Sequence, residues 1–406
     1  MTSPRRSALT LALAAVVSCG PSVGPLASLP SASPTRTIKI VSSLPLTGTS
    51  RAFSLGMVDG ITMALDEAGR RVGSFAIEYE SLDDATAARQ RWDPDQEAAN
   101  ALRAVADPTV VAYIGTADSG AARVSIPILC TAGLVMVSPS NTHPGLTRPF
   151  IEGEPEKYYP NGCGRNYARV IPADDVQGAA AASWARDLGA RSVFVAADTA
   201  PYGKALAAAF RARAKEIGLQ EAGFESAAGL AASPALIALI STSGADTLYY
   251  SPNTQGSAVP FVTQVRAALP TLRIVASDLL YSDDFLKGAG AAAEGLRVTN
   301  AGPPPERYTG AQKDWLERYR QRYGDRAPGL YAIYGYEAAR AVLAALARSG
   351  GAAGDRATVR ANVMGTRDFD GALGRWSFDA NGDTTLTLFS GLQARNGKFE
   401  FEKELR

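Results

Sequence analysis

Histidine is nearly absent. The chain has one, His143, and three cysteines, Cys19, Cys130 and Cys163. An ordinary structural zinc site takes four such ligands, so these four leave none to spare, and clustered ligands for a metal hydrolase are missing as well. A lone histidine, with no Gly-x-Ser-x-Gly elbow around any serine, makes a serine hydrolase the weakest of the readings considered. An excess of one charge is also missing: 41 basic side chains face 40 acidic ones, for a net charge of +1. That argues against a nucleic-acid binder, which needs a basic surface. No run beyond the extreme N-terminus approaches the ~20 apolar residues of a membrane-spanning helix. There is no phosphate loop, no dinucleotide fingerprint and no short internal repeat. No cofactor is implied.

What the chain does have is length and apolar content: 406 residues, 46% of them hydrophobic. That exceeds one ordinary core and suits two domains of ~150–200 residues.

The N-terminus reads as an address. Arg5 and Arg6 precede the apolar stretch Ala8 to Val17, about the length of a signal-peptide core and short for a span. Val16-Val17-Ser18-Cys19-Gly20 resembles a bacterial lipobox, which would make Cys19 the lipidated N-terminus of the mature chain. Plain cleavage nearby, with Cys19 discarded, is the alternative. The expected parts are a signal peptide over 1–18 and a Pro/Ser/Ala-rich tether over 19–36. An exported chain lives in an oxidising compartment, so Cys130 and Cys163 are candidates for a disulfide. It would close a loop of about 33 residues and contribute about 3–4 kcal/mol; two buried free thiols are the alternative.

From Thr37 onward strands and helices alternate. Ile38 to Val41, Phe75 to Tyr79, Val110 to Ile114 and Leu134 to Val137 read as strands; Ala52 to Ala68 has helical spacing. Asp93-Pro94-Asp95-Gln96 carries a helix N-cap with proline at the first helical position. After Arg169 the alternation resumes, with strands at Ser192 to Ala196, Thr247 to Tyr250 and Arg273 to Ala276. Helices are expected over Tyr202 to Ile217, Ser233 to Thr242, Gly256 to Leu269, Tyr308 to Tyr323 and Leu330 to Ser349. The fold class is α/β: two Rossmann-like lobes, each a parallel sheet covered by helices. Asp379 to Asp383 looks superficially like a calcium loop. Its glycine is misplaced and the closing glutamate is missing, so a hairpin turn on Asn381-Gly382 is expected between strands Arg375 to Phe378 and Thr385 to Phe389.

Ligands of open parallel sheets bind at the carboxyl ends of the strands. In the first half those ends lead to Ser119 at a helix N-terminus and to Ser140, Asn141 and Thr142. These are hydroxyls and backbone donors suited to an anion. In the second half they lead to Tyr202, Asn253 and Asp278, the last a carboxylate suited to a cation. An anion site facing a cation site describes an amino acid. Blander roles exist for each: Ser119 as an N-cap, Asp278 as a loop acid, Tyr202 as a staple, Phe53 as core and His143 as a loop residue at the cleft rim.

The residues at these strand ends resemble the type 1 periplasmic binding proteins of the branched-chain amino acid class. The resemblance is carried by Ile40 through Gly48, Asp83-Asp84, Ile114-Gly115 through Ser119, Val137 through Thr142 with Leu146-Thr147, Arg169 through Gly178, Tyr202-Gly203 and Glu294-Gly295. It implies two lobes joined by three hinge crossovers, with lobe 1 over 37–169 plus 300–387 and lobe 2 over 170–299 plus 388–406. It implies a carboxylate clamp of Ser119, Ser140, Thr142 and the Asn141 backbone, and an ammonium partner in Asp278. Tyr202 would close the cleft, and Phe53, Asn253 and Tyr331 would line the side-chain pocket. One departure stands out. Asp118 occupies a place where relatives carry a small hydroxyl residue, and a carboxylate there repels an anion unless it turns away or is paired. A ligand with an added cationic or hydroxyl group, or an amide, would suit it. The resemblance implies a monomeric, lipid-anchored receptor outside the cytoplasm, delivering its ligand to the permease of an ABC importer. A sensor of amides or other small polar solutes on the same fold is the alternative.

Overall fold

The structure, a computed structural model, describes residues 36–406 except 325–327 and 330, and leaves aside the side chain of residue 255. The signal peptide, Cys19 and all of the tether but Arg36 lie outside the described residues.

Two sheets organise the rest. The first runs in the order β2 (Arg71–Val72), β3 (Phe75–Asp83), β1 (Arg36–Leu44), β6 (Val110–Gly115), β7 (Val135–Ser138), β8 (Tyr167–Arg169). All pairs are parallel except the short edge strand β2. β6 is buried along its whole length, as its unbroken Val-Val-Ala-Tyr-Ile run requires of a central parallel strand. Two short ribbons flank this lobe, β4 (Ala85–Thr86) with β5 (Arg91–Trp92) and β14 (Phe369–Gly371) with β15 (Gly374–Trp376). The second sheet runs β10 (Gln220–Ser226), β9 (Ser192–Ala197), β11 (Thr247–Ser251), β12 (Arg273–Ala276), β13 (Arg297–Ala301), β16 (Phe389–Arg395), β17 (Lys398–Leu405). It is parallel through β13 and antiparallel after it.

Helices cover both. In the first lobe these are α1 (Arg51–Glu67), α2 (Pro94–Ala106), α3 (Ser119–Thr131), α9 (Gly310–Tyr323), α10 (Ala332–Ser349) and α11 (Arg356–Met364). In the second they are α4 (Asp174–Asp187), α5 (Pro201–Glu216), α6 (Pro234–Thr242), α7 (Gln255–Ala268) and α8 (Asp283–Ala289). The Asp93 cap forms, its carboxylate accepting from Asp95 N at 2.9 Å and Gln96 N at 3.2 Å. Helices α1 and α10 touch backbone to backbone. A Cβ on Gly60 would lie 2.0 Å from Ala332 O, and one on Gly335 would lie 2.3 Å from Met57 O. Only glycine permits that approach, and it is this contact that sets the start of α10 beside the middle of α1.

The chain passes between sheets three times: from β8 to α4, from β13 to α9, and from β15 to β16. β13 keeps Asn300 and Ala301 paired with Ser390 and Phe389, so the second crossing begins after Ala301 rather than at the expected boundary of 299/300.

The C-terminal region departs from expectation. Arg375 and Trp376 pair backwards onto β14, not forwards across Asn381-Gly382. The Asn381-Gly382 turn closes with a single bridge, Phe378 to Thr384. It then docks on the first sheet: Asp383 bridges to Arg169, whose Nε donates to Asp383 Oδ1 at 2.7 Å. A tertiary ion pair, which local turn chemistry does not encode, holds this segment. In the two main sheets, strands β2, β8, β10, β13, β16 and β17 were not anticipated. Finally, the structure joins Cys130 to Cys163, with their Cα atoms 5.7 Å apart, tying the end of α3 to the loop before β8.

Candidate ligand-binding cleft

The strand ends of the first lobe hold the expected anion-binding groups, but not all of them are available. Ser140 Oγ donates to Ala117 O at 2.9 Å, so its proton is engaged within the lobe. Asn141 N donates to Ser138 Oγ at 2.8 Å and Asn141 Nδ2 to Thr116 O at 2.9 Å. Both residues build the floor and lack a free donor for the clamp expected of them. Ser119 Oγ accepts from His143 N at 3.3 Å, which leaves its own proton free to face a ligand. Thr142 is buried, with its carbonyl accepting from Asp174 N at 2.8 Å.

Asp118, not Ser119, caps α3. Its carboxylate accepts from Gly120 N at 2.6 Å, and the Asp118 carbonyl takes Ala121 N and Ala122 N. The helix N-terminus expected to receive a ligand anion thus already faces a carboxylate of the protein. Burial pushes the Asp118 carboxyl above its ordinary range; the Gly120 amide and the nearby Arg91 charge oppose that rise.

In the second lobe Asp278 is the hub. It follows β12 in a short 3-10 turn and is 7% exposed. Oδ1 accepts from Gln177 Nε2 at 2.6 Å and from Tyr202 Oη at 2.6 Å. Oδ2 accepts from Tyr331 Oη. Gln177 and Tyr202 belong to the second lobe, on α4 and α5. Tyr331 belongs to the first, as the residue before α10. The Tyr331–Asp278 bond therefore links the lobes. Burial pushes both tyrosine hydroxyls well above their ordinary range, and the Asp278 charge adds to it, so each stays a donor. Phe53 packs edge-on against Tyr331 with ring centroids 4.8 Å apart. Asn253 lies half-buried in the loop after β11 and makes no hydrogen bond to this hub among the described residues.

Several buried groups here escaped sequence reasoning. Gln177 and Asp174 sit in the Arg169–Gly178 run but carried no assigned role. Asp174 opens α4, is fully buried, and neither of its side-chain oxygens has a hydrogen-bond partner. Asp84 is likewise buried without a partner for either oxygen, and burial, with Glu97 beside it, pushes its carboxyl to about 9. Glu97, also fully buried, accepts from Ser43 and Tyr113 and is pushed by burial to about 7. His143 is not at the cleft rim. It is fully buried, with Nε2 3.0 Å from Glu154 Oε2 and 2.8 Å from Arg123 Nη2, and burial with the Arg123 charge pushes its ring down to about 4.

Two α/β lobes, three crossovers and a polar hub linking the lobes define a hinged solute-binding protein. The chain belongs to the periplasmic binding protein family, whose sequence profile matches residues 37–398. Members act outside the cytoplasm and bind solutes rather than transform them. Among the described residues no helix is long and apolar enough to cross a membrane. A Leu/Ile/Val-binding protein homolog of Brucella abortus is 26% identical over 364 residues, covering 88% of this chain and 91% of that one. The leucine-binding protein LivK of Thermotoga maritima superimposes with a TM-score of 0.78 at 27% identity, over 91% of this chain and 99% of its own. LivJ of Streptococcus pneumoniae, solved with isoleucine, has the same fold, with a TM-score of 0.75 at 23% identity over 91% and 99% of the two chains.

Proposed function

We propose that this protein captures a free amino acid between its lobes and presents it to the permease of an ABC importer. The mature chain would be held at the membrane by a lipid on Cys19. The carrying observation is the Asp278 carboxylate, buried at the meeting of the lobes and bonded by Tyr202, Gln177 and Tyr331. Three donors occupy part of its acceptor capacity and leave room for an ammonium. Ser119 Oγ, with its proton uncommitted, and Thr142 supply the facing carboxylate pole. The relatives named for leucine, isoleucine and valine support an amino-acid ligand. The segments between 169 and 174, 301 and 310, and 376 and 389 would serve as the hinge, with residues 36–169 and 302–388 in one lobe and 170–301 and 389–406 in the other. Closure excludes water and strengthens the charged contacts around the ligand. Binding is stoichiometric, with no bond made or broken.

A thermal-shift panel of amino acids, amides, polyamines and sugars tests this reading, since a ligand of the folded state raises melting by mass action. A selective rise with an amino acid is expected. A rise with an uncharged solute and with no amino acid would overturn it.

A further inference from the structure

The two residues that flank Ser119 share one neighbour. A Cβ on Gly120 would lie 2.6 Å from Trp92 Cζ2 and 2.9 Å from Asp118 Oδ1. The Trp92 indole and the Asp118 carboxylate therefore lie together against the first turn of α3, over a glycine that leaves them room. The carboxylate is aimed at that turn, with Oδ1 accepting from Gly120 N at 2.6 Å. Arg91 and Arg123 favour its charged form, as does the indole. Arg123, however, is bonded to Glu154 at 2.9 Å and lies 2.8 Å from His143 Nε2.

Trp92 is itself fixed from both sides. It sits on β5 opposite Ala85 of β4, in a ribbon that follows the carboxyl end of β3 and so stands on the cleft side of the lobe. On one side of it Asp93 caps α2, and the Asp93 amide donates to Asp84 O at 2.7 Å. On the other side Gln90, at φ 55°, offers its carbonyl to Thr49 N at 2.9 Å and to Thr49 Oγ1 at 3.1 Å. A Cβ on Gly48 would lie 2.2 Å from that carbonyl oxygen, so the ribbon and the loop ahead of α1 meet backbone to backbone. The ribbon thus ties the loop that leads to Phe53 to the helix end that carries Ser119. Trp184, Trp315 and Trp376 are fully buried, whereas Trp92 is half-buried.

A carboxylate facing the anion pole would repel the carboxylate of a ligand. Turned to Gly120, it gains a charge-assisted hydrogen bond and the favourable end of the helix dipole instead.

We infer that Trp92 is a positioning residue for ligand selectivity: it holds Asp118 on the end of α3 and away from the cleft, so that the cleft prefers an amino acid with an uncharged side chain to one with a cationic side chain. The inference rests on the amino-acid reading above. Without the indole, Asp118 is free to rotate toward the cleft, where it repels the ligand carboxylate and attracts a side-chain cation.

Calorimetric titration of the mature chain with L-leucine and L-lysine tests this, in the wild type, Trp92→Ala, Asp118→Ser and the double variant. The wild type should bind leucine at least about tenfold more tightly than lysine, and Trp92→Ala should lower that ratio by about tenfold. In the Asp118→Ser background a hydroxyl caps the helix and no charge is left to turn. There the same substitution should leave the ratio within about twofold, because the pair no longer interacts. A merely structural Trp92 would weaken both ligands alike in both backgrounds. Gly120→Ala, whose methyl group displaces the indole and the carboxylate, should lower the ratio as Trp92→Ala does, and it is the decisive variant if Trp92→Ala does not fold. Lysine bound more tightly by the wild type, a ratio unmoved by Trp92→Ala, or a ratio that moves equally in both backgrounds would overturn this inference and leave the amino-acid reading standing. Binding of neither ligand by the wild type would overturn it as well, and the thermal-shift panel above then decides whether the amino-acid reading stands.

Discussion

Replacing Tyr331 with phenylalanine removes one hydroxyl and nothing else. The ring keeps its edge contact with Phe53 and leaves no cavity. What disappears is the hydrogen bond to Asp278 Oδ2, the only one of the three described donors to that carboxylate that comes from the other lobe. A hydrogen bond to a charged acceptor contributes about 1.5–3 kcal/mol net. At ~2 kcal/mol the closed arrangement loses about thirtyfold in population relative to the open one. A ligand gripped only by the closed form should lose affinity by a factor up to that size. Small-angle scattering of the unliganded protein, with calorimetry of ligand binding, reads both effects. Tyr202→Phe is the control. It removes a donor from the same carboxylate, but the pair lies within the second lobe, so the unliganded scattering should stay as in the wild type. If both variants scatter alike, or Tyr331→Phe keeps wild-type affinity, the Tyr331 hydroxyl does not govern closure.

Other residues give independent tests. Asp278→Ala should weaken amino-acid binding by about 2–4 kcal/mol, because the ammonium loses its charged acceptor; wild-type affinity by calorimetry would remove Asp278 from the site. Asp84 titrates near 9 when folded against an ordinary 3.8, so the folded state holds more protons between these values and stability falls as pH rises through them. Asp84→Asn should therefore stabilise the protein at pH 8 by an amount on the order of a few kcal/mol, and that gain should vanish near pH 4. A difference in urea midpoint that is the same at both pH values would contradict the buried, unpaired placement. Gly60→Ala forces a methyl group onto the Ala332 carbonyl and should cost about 3 kcal/mol or more by urea unfolding, since backbone cannot yield as a side chain can. Wild-type stability would show that α1 and α10 can separate freely.

Much of the architecture was legible because parallel strands buried on both faces are written as short apolar runs. β6, β7, β9 and β12 read out almost to the residue, as did the Asp93 cap, whose signals are local. β10 was missed because its Gln-Glu-Ala-Gly-Phe-Glu-Ser run lies at a sheet edge and is only partly buried. The β16–β17 hairpin was missed although Asn396-Gly397, both at positive φ, marks its turn. The turn at Asn381-Gly382 drew the expectation instead. The same dipeptide served there to dock a loop, and nothing within that segment announces the Arg169 partner more than two hundred positions away.

The sequence by itself determined the α/β class, the two-lobe division and the positions where ligand groups must emerge, because strand periodicity and helix caps are set by neighbours along the chain. It also placed Ser119, Thr142, Tyr202 and Asp278 at strand ends or helix starts. Only the tertiary structure decided which of those groups have free hydrogen-bonding capacity. Ser140 and Asn141 turn to carbonyls and hydroxyls of the first lobe, Asp118 caps α3, Tyr331 reaches Asp278 from the other lobe, and Asp174 has no partner. A hydroxyl has one proton and a carboxylate a limited set of lone pairs. Where they go depends on atoms distant in sequence and close in space.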